Sequence, residues 1–275
     1  MMSEDGLRCM TPASFWAPRH LVRSAWLEHA PFAFWLVQSL RPGVLVELGT
    51  HYGFSYLALC QAVSQLGLPT RCHAIDTWEG DEHTGYYGQE VFGHLNAIND
   101  QHYAPFSHLM RMRFSQALAE FQNDEIDLLH IDGRHLYEDV LEDFANWLPK
   151  LSAHAVVLFH DTNVLDRDFG VWKLWRELSA KYPSFEFPHG NGLGVLGVGR
   201  NFPDSLRPLF SCGPAEAAAI RAAYARLGAA VTYQSVSINA QSAIDQLRSE
   251  VNARGALIDQ FQRGRAASQS FVKIP

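Results

Sequence analysis

Two short segments concentrate acids and imidazoles. The stretch IDLLHIDGRHLYED supplies Asp132 and His135, and VVLFHDTN supplies His160, Asp161 and Asn163. Each begins in an apolar run, Ile126 to Ile131 and Ala155 to His160, of the kind that forms a buried strand. In a parallel sheet the tips of such strands are neighbours, so Asp132, Asp161 and His160 can share one divalent cation. Two carboxylates with water suit Mg²⁺, and an imidazole shifts the preference toward Mn²⁺ or Fe²⁺. His135 opens the helix after Asp132 and points into the same crevice. Imidazole titrates near neutral pH and can act there as general base toward a hydroxyl whose pKa a metal lowers. The competing expectation is structural: aspartates that cap loops and histidines that are satisfied polar residues.

A second set of residues reads as a cofactor crevice. In VLVELGTHYGFS a strand over Val44 to Leu48 ends beside Glu47, Gly49 lets the chain turn tightly, Gly53 lets it approach a bound group, and a helix begins near Phe54. Such a turn offers backbone amides and a helix N-terminus to an electron-rich ligand, while Glu47 can accept from an amino group. Thr50 and Ser55 flank the same turn. The two glycines are one residue too close for the outer pair of GxGxxG, and no Gly-Lys-Ser/Thr follows, so neither a dinucleotide nor a Walker motif is present. The next strand, Arg71 to Ile75, ends in Asp76-Thr77-Trp78. Asp76 is placed for a ribose diol or, alternatively, for capping a helix. Trp78 can cover an adenine or pack in the core. Ser115, after a strand over Met110 to Arg113, is either an adenine-edge contact or a helix N-cap.

These residues need a scaffold that brings strand tips together. From Gly43 onward, Val-, Ile- and Leu-rich runs alternate with amphipathic stretches, which predicts an α/β fold with a mostly parallel sheet between helix layers. Phe185 to Phe187 and Gly194 to Gly199 form the expected closing hairpin. His135 to Leu148 carries Leu136, Val140, Phe144 and Trp147 at helical spacing, and Pro149 stops it. A helix over His20 to Leu40, within residues 1–42, reads as an N-terminal edge or lid. GDEHTGYYGQEVF reads as a mobile loop over the crevice, one of several aromatic and imidazole positions (His83, Tyr86, Tyr87, His94, His102, Tyr103) that follow Asp76. Arg167, Asp168 and Trp172 either shape an acceptor pocket or start the next helix. The domain itself spans 43–201. Residues 202–275 are alanine-rich and then loosely periodic, a helical extension that either pairs as a coiled coil, oligomerising the chain or leading to a partner, or is a solvated helix.

The composition narrows the class. A net charge of -7 argues against a protein built to neutralise nucleic-acid phosphates. Cys9, Cys60, Cys72 and Cys212 are widely spaced and read as reduced thiols of a cytoplasmic protein. MMSEDGLRCM has no signal-peptide pattern, and no apolar run reaches membrane-spanning length.

ELGTHYGFSY, AIDTW, DLLHIDGRHLYEDVLEDF and VVLFHDT together resemble the class I S-adenosylmethionine-dependent methyltransferases, within the group of metal-dependent sugar O-methyltransferases and cephalosporin-hydroxylase-like proteins. The resemblance covers about Gly43 to Gly199. It implies a Rossmann-like fold, Glu47 and Gly49 at the cofactor's methionine end, Asp76 at its ribose, Asp132 and Asp161 on Mg²⁺, and His135 as base. The sugar enzymes carry an acid where this chain has His160. DTNVLDRDFGVWKLWREL and HGNGLGVLGVG further resemble methyltransferase modules joined to glycosyltransferases in bacterial polysaccharide systems. The function implied is methyl transfer to a hydroxyl of a sugar or glycoside in polysaccharide or natural-product biosynthesis, with a glycosyltransferase as partner or fused domain, in a homo-oligomer. The alternatives are a non-haem iron oxygenase using His160, Asp132 and a further histidine, and a non-catalytic assembly module for a glycosyltransferase.

Overall fold

The computed structural model describes residues 9–81, 85–166 and 168–270, so His83 and Arg167 lie outside the described residues. The chain divides into two compact units, Met1–Val231 and Thr232–Pro275.

In the first unit, α1 (Ala30–Leu40) leads into β1 (Val44–Leu48), α2 (Phe54–Leu66) and β2 (Arg71–Asp76). A two-residue pair, β3 (Gly80–Asp81) and β4 (Gly85–Tyr86), precedes α3 (Gln89–His102), β5 (Ser107–Arg111), α4 (Phe114–Ala117) and β6 (Ile126–Ile131). Then come α5 (Tyr137–Trp147), β7 (Leu151–His160), α6 (Val171–Ser179), β8 (Ser184–Phe187), β9 (Leu193–Gly197), α7 (Arg207–Ser211) and the first part of α8 (Pro214–Ser270), whose residues from Thr232 on belong to the second unit. The sheet order is β5-β2-β1-β6-β7-β9-β8. Five strands run parallel from β5 to β7, and β9 is antiparallel to both β7 and β8. This is the expected α/β architecture with its closing hairpin.

Side-chain alternation distributes the strands between two cores. Val44, Val46 and Leu48 of β1, with Leu129, Ile131, Val157 and Phe159, pack against Val140, Phe144 and Trp147 of α5 and Leu174 and Trp175 of α6. On the other face, Leu45, Cys72, Leu128, Val156 and Leu158 meet α1, α2 and α3. Strand order reverses between β1 and β6, and open α/β sheets bind ligands outside the strand ends at such a switch point. Gly49 and Asp132 follow those two strands.

Three expected elements are displaced. The helix expected from His20 starts at Ala30, preceded by a short 3₁₀ turn, Leu27–His29; Pro31 in its first turn fits a start there. The third large strand is Ser107–Arg111, in register with Cys72–Asp76, so Met112 and Arg113 already belong to the turn. The expected loop over the crevice is the β3–β4 pair followed by α3, with only its middle outside the described residues.

Candidate functional site

The glycine turn after β1 is held by backbone geometry. Gly49 sits at φ +85°, and a Cβ there would lie 2.1 Å from the Asp132 carbonyl oxygen. Only glycine fits where the two strand ends pass each other. Gly53, at φ +84°, has Leu95 of α3 against it, so its missing side chain makes room for packing rather than for a bound group. The amides expected to face a ligand are partly committed elsewhere. Thr50 and His51 donate their N–H groups to Asp76 Oδ2 at 2.8 and 2.9 Å, and Trp78 donates its N–H to Asp76 Oδ1 at 2.8 Å. Asp76 therefore pins the turn, and no helix follows for it to cap. Trp78 is fully buried, donates its indole N–H to the His51 carbonyl and meets Phe92 edge-on, which is the core alternative. Thr77 accepts from Arg111 through its carbonyl. Ser115 is exposed inside α4, whose N-cap is Arg113, so the capping alternative fails.

A cavity of about 150 Å³ lies beside this turn. Residues 49–55 form one wall, Asp132, His135, His160 and Asp161 the other, and Arg23, Ser24 and Ala25 of the N-terminal segment close it. The Thr50 hydroxyl in its lining is buried without a hydrogen-bond partner of good geometry, and Glu47, two residues before Gly49, interacts with Ser55 of the lining. Glu47 is fully buried, its Oε2 2.8 Å from His130 Nδ1 across the β1–β6 pair. Burial pushes its carboxyl upward, and the His130 and Ser55 contacts offset this only in part.

The acid and imidazole wall is tightly drawn. His135 Nε2 lies 3.0 Å from Asp161 Oδ2 and 3.9 Å from Asp132 Oδ1. His160 Nδ1 lies 3.2 Å from Asp132 Oδ1 and 3.4 Å from Asp161 Oδ1. One donor atom each from Asp132, His135 and Asp161 falls within 4.8 Å of the others, a spacing that fits a metal ion. This trio contains His135, and His160, the imidazole that the sequence offers as a ligand, stands as near the same two carboxylates. Burial opposes a charged imidazole, yet Asp132 and Asp161 together outweigh it and hold both His135 and His160 at about 9. Burial likewise opposes a charged Asp132, but His160, His135 and His130 together keep its carboxyl well below the usual range.

Three features that no sequence motif marks orient this wall. His160 Nε2 lies 3.2 Å and His29 Nε2 3.0 Å from the Gly190 carbonyl oxygen. A carbonyl only accepts, so both Nε2 atoms carry protons, and His160 presents Nδ1 to the two aspartates. His189 packs on His29 with centroids 5.0 Å apart. Asp161 stands at φ +61°, a left-handed conformation costing a non-glycine residue about 1–2 kcal/mol. It is braced by the turn at Gly192, where a Cβ would meet the Asn163 nitrogen at 2.5 Å. Asn163 itself donates to the Pro188 carbonyl and supports that turn. Phe169 stacks on His135 at 4.4 Å.

The other sequence candidates stand apart from the cavity. Tyr87 packs on His51, Tyr86 is exposed, Tyr103 is buried and bonded to His20, and His94 and His102 lie on α3. Asp168 and Trp172 line a separate open groove with Tyr137, Lys173 and Glu177.

The strand order and the cavity at its switch point define a nucleotide-cofactor type of α/β fold. Residues 46–162, a little under half of the chain, match the family model described as a methyltransferase domain, and this segment contains both cavity walls. This segment is thus similar to a methyltransferase domain. An uncharacterised protein of Sinorhizobium fredii, y4gI, is 54% identical over 186 residues, which are 68% of this chain and 20% of that protein. The chain therefore spans about a fifth of the length of that curated relative. Among solved structures, CalS11, a calicheamicin methyltransferase, aligns at TM-score 0.52 and 17% identity over 64% of this chain and 80% of its own, a likeness of fold. A methyltransferase from Geobacter sulfurreducens aligns at 0.47 and 17% identity, over 64% and 80% of the two chains. Among the described residues, no helix is long and apolar enough to cross a membrane.

Proposed function

We propose that this domain, residues 43–201, transfers a methyl group from S-adenosylmethionine to a hydroxyl of a sugar or glycoside, with a divalent cation bound at Asp132, Asp161 and His160 and with His135 as base. The observation that carries this reading is the convergence of Asp132 and Asp161 with two imidazoles in the cavity lining, His160 Nδ1 at 3.2 and 3.4 Å and His135 Nε2 at 3.9 and 3.0 Å from their carboxylate oxygens. S-adenosylmethionine supplies an electrophilic sulfonium methyl. The buried, unpartnered Thr50 hydroxyl fits its polar methionine end, and the Gly49 turn that bears it lines the cavity. Asp76 holds that turn in shape and keeps only part of its accepting capacity for a ribose.

The donor set of two carboxylates and an imidazole fits Mg²⁺ or, better, Mn²⁺, and such an ion would supply Lewis-acid polarisation of the acceptor oxygen. His160 fits a ligand's role because its Nε2–H is committed to the Gly190 carbonyl, the arrangement by which proteins fix a metal-binding tautomer. A base must be neutral to accept a proton. Asp132 and Asp161 hold His135 protonated at about 9; a cation on those carboxylates would weaken their pull on the imidazole, the direction a general base needs. His135 would then take the proton of the acceptor hydroxyl, while the bound cofactor would supply the methyl group that passes from its sulfur to that oxygen. Phe169 keeps the imidazole plane fixed during that transfer.

A saccharide acceptor rests on the sequence resemblance, as does a glycosyltransferase as partner or fused domain; the length of the Sinorhizobium relative accords with a chain continuing into other domains. The oxygenase reading gains one observation, because His135 is a second imidazole beside His160 and the acids. Metal analysis with a test for oxygen consumption separates the two. Methyl transfer to a panel of glycosides should fall at least about 100-fold in both His135→Ala and Asp132→Asn. Undiminished turnover in both variants contradicts the assignment.

A further inference from the structure

Among its described residues, the second compact unit, Thr232–Pro275, contains one element, part of α8. Within those residues there is no second element to cover its apolar side chains. Leu247 is 60%, Val251 67% and Ile258 56% exposed, and Ile244 is exposed too. Earlier in the same helix the apolar residues Ile220, Tyr224 and Val231 are buried. Most helical stability in proteins comes from packing of an apolar face, so an uncovered stripe of this length calls for a partner.

The spacing of the stripe says which partner. Ile244, Val251 and Ile258 recur every seven residues, and Ala240, Leu247 and Arg254 fall four residues before or three after them. In heptad terms, β-branched residues occupy a and a leucine sits centrally at d. That combination favours two parallel strands over trimers and tetramers. In-register pairing of two identical helices sets Ile244, Leu247, Val251 and Ile258 each against its own copy, so every one of these layers is apolar on both sides. Asp245 and Glu250 balance Arg248 and Arg254, and two copies side by side gather no net charge from these residues. Arg254 is the one charged d position; its stem can lie along the seam while the guanidinium reaches solvent, which weakens that layer without reversing the pattern.

We propose that residues 240–258 form a parallel two-stranded coiled coil with a second copy of this chain. The proposal is independent of the methyl-transfer reading. Sedimentation equilibrium of the full 275-residue chain, 30.9 kDa, should give twice that mass at micromolar concentration. Leu247→Asp combined with Val251→Asp should give the monomer mass and leave the thermal transition of the first unit unmoved. Leu247→Cys should cross-link into a covalent dimer under mild oxidation. A monomeric or trimeric native chain overturns the proposal, as does a dimer that survives the double substitution. A Leu247→Cys chain that is dimeric yet fails to cross-link overturns the parallel arrangement.

Discussion

On one side of the cavity, the Gly49–Gly53 turn is shaped by main chain: a glycine that alone clears the Asp132 carbonyl, and two amides drawn onto Asp76. On the other side, Asp132, His135, His160 and Asp161 present four titratable groups within reach of one another, aimed by the Gly190 carbonyl and the Phe169 ring. The first wall is a matter of fit and the second a matter of charge. Substitutions in the turn should therefore act on folding, and substitutions among the acids and imidazoles on chemistry and pH response.

The largest stability effect is expected at Gly49. Gly49→Ala puts a methyl group into backbone at a left-handed φ, and should destabilise the first unit by about 3 kcal/mol, read as a lowered denaturant midpoint. An unchanged midpoint would show that β1 and β6 can part at their tips and that the turn is not a matter of fit. Asp76→Ala leaves the Thr50 and His51 amides without their acceptor, and should cost about 2 kcal/mol. If it instead abolished cofactor binding at unchanged stability, Asp76 would belong to the chemistry of the site rather than to its shape.

The remaining effect is one of pH and belongs to the charged wall. His135 and His160 are raised from 6.5 to about 9 in the folded, metal-free protein, so their stabilising contribution is full below about pH 6.5 and lost as pH rises toward 9. Asp132, depressed, has the opposite sign: its contribution is present at neutral pH and lost as pH falls through its native value. The denaturant midpoint of chelator-treated protein should thus decline between pH 6.5 and 9, and His160→Gln should flatten that decline. A midpoint that rises over this interval contradicts the arrangement of charges described above.

Much of the first wall is readable in the chain. Val44–Leu48, the turn and the helix start at Phe54 lie where the apolar run and the two glycines place them, because a central strand covered on both faces leaves a continuous apolar signature. The edge strand β5 falls earlier than its pattern suggests for the converse reason: Ser107 and His108 carry no such signature, and the Met110–Met112 run shifts the expectation toward the turn. Asp132, His135, His160 and Asp161 are readable as a cluster because each lies at or just beyond the end of an apolar strand. Their orientation is not. His29 and Gly190 are 161 positions apart, and no local pattern marks His29 as a partner of the β8–β9 turn. The only hint is the His-Gly-Asn-Gly run at His189, which reads as a turn and nothing more. Gly53 reads as space for a ligand because Leu95, which fills that space, arrives from α3.

The central claim is that the charged wall performs methyl transfer. It is tested most directly by following methyl incorporation from S-adenosylmethionine into a glycoside panel with native chain, His135→Ala, Asp132→Asn and native chain stripped of metal. Transfer by the native chain, with a loss of at least about 100-fold in both variants, is the predicted result, together with a loss on metal removal that added Mn²⁺ or Mg²⁺ restores. Full transfer by both variants, or indifference to metal removal, would contradict the respective parts of the account.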